Sequence, residues 1–208
     1  MNRRHALNLM GATAVAATAG ALIPSFAAAQ EAAENGIVEM TLGADDAPVT
    51  LIEYASFTCP HCATFHNNVL SKIKAEYVET GKVKFIYRDV YFDRPGLWGA
   101  MMARCEPSKF FGIVDMLYAD QKSWVAGGNL GEIDQNLRKI GLVAGLDKAK
   151  LDACMSDAEN AQALYGWFQK NVEADDVQGT PTLLIDGVKH SNMSYTDLKE
   201  ILDEKLGM

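Results

Sequence analysis

Hydrophobic and polar positions near the start of the chain follow the periods of β-strands. Residues 37–42 alternate roughly between apolar and polar side chains, which predicts an outer or edge strand. The mostly apolar run at residues 49–55 follows a turn signal at residues 45–48, and it predicts a strand covered on both faces. Strand character returns at residues 82–90. These three segments predict the start of a sheet.

A helical period separates the second and third of these strands. Apolar residues recur at four-residue steps and predict a helix from about Pro60 to Glu79, ended by Gly81. Pro60 suits the first turn of a helix, where its missing N–H group is not needed. A strand, a helix and a strand in this order predict a parallel crossover, with Cys59 at the carboxyl end of the second strand.

The middle of the chain, from about residue 95 to residue 175, shows helical spacing and no convincing strand. Breaks between the helices are indicated by Gly127-Gly128-Asn129 and by Gly145-Leu146-Asp147. We therefore expect an all-helical insertion. The apolar positions that recur at helical spacing are Phe110, Val114, Leu117, Ile133, Leu137, Ile140, Leu164, Tyr165 and Phe168.

Strand character resumes after the insertion, at residues 180–189. Asp186-Gly187 in the middle of this stretch is a strong signal for a two-residue β-hairpin turn. Ser194 and Asp197 form a capping box for a last helix. The order of elements predicts an α/β protein whose sheet is interrupted in sequence by the helical insertion.

The first 29 residues have the layout of a secretory signal peptide. Basic residues at Arg3 and Arg4 precede an uncharged stretch rich in alanine and glycine, and Ala27-Ala28-Ala29 provides a small-residue cleavage site. The arginine pair favours twin-arginine export, and general secretion is the alternative route. An uncleaved membrane anchor is less favoured, because alanine and glycine insert weakly. We predict a signal peptide at residues 1–29 and a soluble, exported mature protein.

The acidic balance of the chain limits its partners. The formal net charge is −8, and no basic stripe is present in the sequence. We therefore expect binding neither to nucleic acid nor to an anionic membrane surface.

The four cysteines fall into two spacing classes. Cys59 and Cys62 are close neighbours in the sequence, whereas Cys105 and Cys154 are far apart. In an oxidising compartment this spacing favours a local reactive pair and a distant structural disulfide, Cys105–Cys154, although the other pairings stay open.

The tetrad Cys59-Pro60-His61-Cys62 has the spacing of a redox centre at a strand-to-helix junction. Unpaired N–H groups and the helix dipole favour a negative charge at Cys59, which lowers the pKa of its thiol. His61 adds to this effect if it is cationic or donates to the sulfur. Cys62 lies one turn further into the helix, and we expect it to be buried. A stabilised thiolate favours the reduced form, which makes the disulfide oxidising.

Three other interpretations of the same residues deserve comparison with the redox one. A passive disulfide is the simplest, but a short loop at a helix start is common redox geometry. Covalent haem attachment needs a histidine where Ala63 stands. A copper or zinc site formed by Cys59, His61, Cys62 and His66 would have to bend consecutive positions around one ion, and His66 is more simply a helix-face residue. We therefore predict neither a metal ion nor another cofactor.

Glu53 is an acid in the middle of a strand that is otherwise predicted to be buried, which is unusual for a carboxylate. If it faces Cys62, its pKa is raised and it can relay the proton of that thiol. The alternative is that it reaches solvent at the margin of the sheet.

The chain has the tetrad after a Glu53-containing strand, then a helical insertion, and then Thr180-Pro181 before a hairpin. In these features, from about Ile37 to Leu206, it resembles the DsbA family of thioredoxin-fold proteins. The resemblance implies a thioredoxin-like domain at residues 30–94 and 176–208, with the insertion at residues 95–175. It also implies a cis peptide bond at Pro181, facing the redox pair and shaping a substrate groove with Thr180. The additional pair Cys105 and Cys154 resembles the arrangement in alphaproteobacterial members.

The resemblance implies a periplasmic protein-disulfide oxidoreductase. We expect a monomer that introduces disulfides into unfolded exported proteins with reduced cysteines, and a DsbB-like, quinone-linked membrane protein that reoxidises it. A disulfide isomerase or reductase on the same scaffold is the nearest alternative. A periplasmic copper-binding module is the alternative from another class.

Overall fold

A mixed β-sheet lies at the centre of the structure, a computed structural model that describes residues 36–126 and 128–208. The predicted signal peptide at residues 1–29 lies outside the described residues. Within these ranges the sheet has five strands: β1 (Met40–Leu42), β2 (Val49–Ala55), β3 (Val83–Asp89), β4 (Thr182–Ile185) and β5 (Val188–Ser191). Their order in the sheet is β1-β3-β2-β4-β5. Strands β2 and β3 are parallel, and the other neighbours are antiparallel.

Strand β2 occupies the middle of the sheet, and successive side chains point to opposite faces. Leu51 and Ala55 belong to the main hydrophobic core, whereas Ile52 and Tyr54 belong to a smaller core on the other face. Glu53 shares the face of Leu51 and Ala55 by this period. A carboxyl group is thereby placed on the side of the sheet that carries the main core.

A long helix, α1, connects β2 to the parallel strand β3 and so forms a parallel crossover. It begins as an α-helix at Pro60–Phe65 and continues through a π-helical segment at His66–Leu70. A short α-helical turn at Ser71–Ile73 and a second π-helical segment at Lys74–Val78 complete it. The predicted crossover helix is confirmed, and the π-helical segments are an addition that the four-residue period did not indicate.

The segment between β3 and β4 is helical, as predicted. Its α-helices are α2 (Arg94–Arg104), α3 (Phe110–Ala119), α4 (Gln121–Val125), α5 (Leu130–Val143), α6 (Lys148–Ser156) and α7 (Ala158–Ala174). A 3₁₀-helix at Pro107–Lys109 precedes α3. Asp93, Asn129, Asp147 and Asp157 cap α2, α5, α6 and α7 through their side-chain oxygens, which explains why these helices start where they do.

Two covalent or ionic links hold the insertion together and fasten it to the sheet. A disulfide joins Cys105, directly after α2, to Cys154 in α6. The guanidinium of Arg104 donates to the buried carboxylate of Asp89, with an Nη2–Oδ2 distance of 2.6 Å. It also donates to the carbonyl of Val38 at 2.8 Å.

The hairpin and the last helix follow the sequence prediction. Asp186 and Gly187 both have positive φ, of 48° and 79°, as the predicted two-residue turn requires. Helix α8 spans Tyr195–Leu206, and the hydroxyl of Ser194 accepts from the backbone N–H of Asp197. Leu198 and Leu202 bury one face of α8 in the main core.

Two details differ from the pattern-based expectation. The first strand spans Met40–Leu42 and is shorter than residues 37–42, and before it the Val38 carbonyl accepts from the side chain of Arg104. Tyr165 is 45% exposed, although its spacing predicted an apolar helix face. No helix among the described residues is long and apolar enough to cross a bilayer.

Candidate active site

The Cys59-Pro60-His61-Cys62 tetrad begins at the carboxyl end of β2 and runs into the first turn of α1. Cys59 is the N-cap residue, with extended backbone angles, and Pro60 starts the helix. The N–H group of Cys59 donates to the carbonyl of Ser56 at 3.1 Å, which closes a turn between strand and helix. Cys59 is partly exposed, whereas Cys62 is fully buried, and both are free thiols. The structure therefore represents the dithiol form.

The two thiols have opposite acid–base properties. The pKa of Cys59 is lowered to about 5, chiefly because Cys62 donates a hydrogen bond to its sulfur. The Thr180 side chain and the N–H groups of Cys62 and His61 lower it further, against burial, which raises it. Burial raises the pKa of Cys62 far above its ordinary range, and the neighbouring Cys59 and Glu53 raise it more. The exposed sulfur is thus ionised at neutral pH while the buried one keeps its proton.

The loop that carries Thr180 and Pro181 lies directly against the reactive thiol. The Thr180–Pro181 peptide bond is cis. The Sγ atom of Cys59 lies 3.5 Å from the backbone oxygen of Thr180. The hydroxyl of Thr180 is buried and lowers the pKa values of Cys59 and Cys62. It has no other hydrogen-bond partner among the described residues.

A surface cavity of about 510 Å³ extends from Thr180 and Pro181 along the edge of the sheet. Gln178, His190 and Ser191 are also among its lining residues. The cavity offers polar groups beside a strand edge, which suits an extended polypeptide lying next to the exposed sulfur of Cys59.

Glu53 lies in the core behind the redox pair. Its side chain is fully buried, and neither carboxylate oxygen has a hydrogen-bond partner among the described residues. Burial raises the pKa of Glu53 to about 8, and the charge of Cys59 contributes to the rise. Of the two positions left open by the sequence, the buried one is therefore observed. A carboxyl group that is neutral near pH 7 can donate and recover a proton.

The two histidines near the tetrad point to different surroundings. His61 is exposed at the start of α1. His66 is buried, and its Nε2 atom lies 2.7 Å from Oδ1 of Asp115 in α3. In the described ranges, no group of three or more histidine, cysteine or acidic residues is arranged to hold a metal ion.

Three residues of the helical insertion and the sheet were missed by sequence reasoning. The side-chain amide of Gln121 in α4 donates to the carbonyls of Phe57 and Cys59, at 2.8 and 2.9 Å. The hydroxyls of Tyr87 and Tyr118 form a buried hydrogen bond of 2.6 Å beside the core of the site. Their spacing in the chain carries no motif, so the sequence offered no signal for them.

A dithiol at the start of a helix, after a central strand and opposite a cis-proline loop, defines a thioredoxin-fold redox site. The thioredoxin family model matches residues 35–204. The chain belongs to the thioredoxin family. The predicted fold class is thereby confirmed.

Two relatives and one solved structure show which members of the family the chain is similar to. Disulfide bond formation protein D of Bacillus subtilis is 30% identical over 178 residues, covering 79% of this chain and 76% of that protein. A relative in Rickettsia bellii whose name is protein-disulfide oxidoreductase is 26% identical over 170 residues, covering 81% of this chain. This chain spans 64% of the length of that relative. The crystal structure of alpha-DsbA1 from Wolbachia pipientis superposes with a TM-score of 0.74 at 26% identity, covering 81% of this chain and 91% of that one. The resemblance to the DsbA family is confirmed by these matches.

Proposed function

We propose that the chain is a thiol–disulfide oxidoreductase that introduces disulfides into unfolded exported proteins. The observation that carries the proposal is the placement of the two thiols, because Cys59 is partly exposed at the N-cap of α1 whereas Cys62 is buried. This placement lowers the pKa of Cys59 to about 5 and raises that of Cys62. A thiolate stabilised at Cys59 favours the dithiol form, and a disulfide whose reduced form is stabilised is a strong oxidant. The names of the relatives support the same chemistry.

The first step begins from the Cys59–Cys62 disulfide. A substrate thiolate attacks the exposed Sγ of Cys59, and a new sulfur–sulfur bond forms as the bond to Cys62 breaks. The sulfur of Cys62 leaves with the bonding electron pair as a thiolate. Because this sulfur is buried and has a raised pKa, it takes up a proton at once.

The second step releases the oxidised substrate. A second thiolate of the substrate attacks the substrate sulfur of the mixed disulfide, and Cys59 leaves with the electron pair. The low pKa of Cys59 makes it a good leaving group. The substrate has lost two electrons and two protons. The protein has gained the two electrons and one proton, on Cys62, while Cys59 stays a thiolate and the second proton goes to solvent.

Glu53 serves as the proton store for Cys62. It is buried on the same side of the sheet, and it influences the pKa of Cys62 through its charge. With a pKa raised to about 8, the carboxyl group holds a proton at neutral pH and passes it to the newly formed thiolate. The reverse transfer occurs when the dithiol is reoxidised.

Thr180 and Pro181 hold the substrate segment that surrounds its cysteine. Thr180 lines the cavity, and its backbone oxygen lies 3.5 Å from the Sγ atom of Cys59, so a substrate in the cavity has its own sulfur near the Cys59 sulfur that it attacks. We also propose that the protein acts in the periplasm, and that a DsbB-like, quinone-linked membrane protein restores the disulfide.

The test is the oxidation of an unfolded protein with two reduced cysteines by the Cys59–Cys62 disulfide form. We expect stoichiometric formation of the substrate disulfide. Cys62→Ser, first loaded with glutathione as a mixed disulfide on Cys59, should exchange the glutathione for a substrate with one cysteine and accumulate a mixed disulfide that a reductant releases. The matched control is Cys59→Ser, which accumulates none. A Cys62→Ser variant that traps no substrate would overturn the proposal, and so would copper that survives dialysis and blocks alkylation of both thiols.

A further inference from the structure

The side-chain amide of Gln121 connects the helical insertion, through hydrogen bonds, to the turn that carries Cys59. Its Nε2 group has two N–H donors, and the two acceptors within reach are the carbonyls of Phe57 and Cys59. The side chain is 6% exposed, so solvent does not replace either hydrogen bond. Both donors of one buried amide are therefore used on the backbone within two residues of the reactive sulfur.

The position of Gln121 is itself firmly fixed. It is the first residue of α4, and Trp124, one turn later, is fully buried. The indole N–H of Trp124 donates to the carbonyl of Leu117 at 2.8 Å, which locks α4 against the end of α3. Gln121 is thus the first residue of a short helix that a buried side chain holds against α3.

The carbonyl that Gln121 holds belongs to the residue whose sulfur reacts. The Cys59 carbonyl also accepts from the N–H of Ala63, at 3.2 Å, as the first hydrogen bond of α1. The N–H groups of His61 and Cys62, which lie between Cys59 and Ala63, lower the pKa of Cys59. Fixing the Cys59 carbonyl therefore fixes the direction in which the first peptide groups of α1 meet the sulfur.

Packing holds the same turn by another route. The ring of Phe57 is buried and lies 5.6 Å from the ring of Tyr87 and 5.4 Å from that of Tyr118, between centroids. The turn consequently has an apolar anchor that does not involve Gln121. Loss of the amide should change the alignment of the turn without detaching it from the core.

We propose that Gln121 is a positioning residue for Cys59, which it aligns by holding the carbonyls of Phe57 and Cys59 and thereby favours the dithiol form. The inference rests on the proposed function, because it concerns the balance between the dithiol and the disulfide. The alternative is that the amide only satisfies two buried carbonyls and stabilises both redox forms equally.

The test compares Gln121→Met, which keeps the length and volume of the side chain but removes both donors, with the wild-type protein. Each is equilibrated across glutathione redox ratios, and each is titrated by the thiolate absorbance near 240 nm. We expect the equilibrium constant for oxidation of glutathione to fall roughly tenfold, the change expected for the net loss of one or two hydrogen bonds. The midpoint of the thiolate titration should rise by about one pH unit, which corresponds to the same tenfold change.

The matched control is Asn67→Leu. Asn67 in α1 also donates a side-chain amide to a backbone carbonyl, that of Tyr118 at 3.2 Å, but not to the turn. We expect this variant to keep the wild-type equilibrium constant and midpoint. Equal values for Gln121→Met and wild type, with a lower denaturation midpoint in both redox forms, would overturn the inference.

A second variant and the wild type keep the two proposals separate. If Gln121→Met does not fold, Gln121→Asn retains an amide that is too short to reach both carbonyls, and the same fall in the equilibrium constant is expected. A wild-type protein that does not exchange with glutathione would refute the proposed function. If the wild type exchanges with glutathione and the Gln121 variant has the same equilibrium constant, the positioning role alone is refuted.

Discussion

Cys59 and Cys62 begin the same helix one turn apart, yet one sulfur is partly exposed with a lowered pKa and the other is buried with a raised pKa. The difference follows from their positions. Cys59 precedes the helix and receives hydrogen bonds from Cys62 and from free N–H groups, whereas Cys62 faces the core with Glu53 nearby. In the proposed mechanism, these positions decide which sulfur is attacked and which sulfur leaves.

The first prediction concerns the ionisation of the dithiol. Titration of the reduced protein by thiolate absorbance should show one thiolate with a midpoint at a pH of about 5. Cys59→Ser should abolish this transition. Cys62→Ala should move its midpoint upward, because the hydrogen bond from Cys62 is the largest cause of the lowered pKa. A wild-type protein without a thiolate below pH 7 would contradict the assignment of Cys59.

The second prediction uses the buried carboxyl of Glu53. Its pKa is about 8 in the folded dithiol form, above its ordinary value of 4.5, so between these values the folded state binds more protons than the unfolded state. Stability is therefore lost as the pH rises through this window. Glu53→Gln, which imitates the neutral acid, should raise the free energy of unfolding at pH 7 by roughly 2 to 3 kcal/mol.

Urea denaturation of the two reduced proteins, measured at several pH values, checks this expectation. The advantage of Glu53→Gln should be absent below about pH 4, where both states of the wild type are protonated, should grow as the pH rises, and should level off above about pH 8. A variant that is less stable than the wild type at pH 7 would contradict an unpaired carboxyl group at Glu53 in the folded protein.

The third prediction separates the structural disulfide from the redox pair. Replacing Cys105 and Cys154 with serine should lower the free energy of unfolding by about 2 to 4 kcal/mol, because the bridge closes a long loop in the unfolded chain. The mixed disulfide trapped on Cys59 by Cys62→Ser should still form in this background. Unchanged denaturation midpoints in the serine variant would refute the stabilising role.

Periodicity predicted the strands, the crossover helix and the hairpin well, because each has a local cause. The central strand at Val49–Ala55 is an apolar run, α1 has apolar residues at four-residue steps, and Asp186-Gly187 supplies the positive φ angles of the turn. These signals lie within a few residues of each other, so no tertiary information is needed to see them.

The remainder of the site depends on contacts that join distant parts of the chain. Gln121 lies 62 positions from Cys59, in a polar stretch typical of a surface helix, and nothing in that stretch indicates a buried amide. The depth of Glu53 depends on the helices that cover the face of β2, which the strand pattern alone does not reveal. The burial of His66 likewise involves contacts with α3, where Asp115 accepts its hydrogen bond and the ring of Tyr118 packs against it.

The redox potential of the Cys59–Cys62 pair decides whether it is an oxidising dithiol centre. The protein should be equilibrated across glutathione redox ratios, and the fraction of Cys59–Cys62 disulfide should be quantified by thiol alkylation. We expect a potential near that of DsbA, about −120 mV. A potential near that of thioredoxin, about −270 mV, would contradict it.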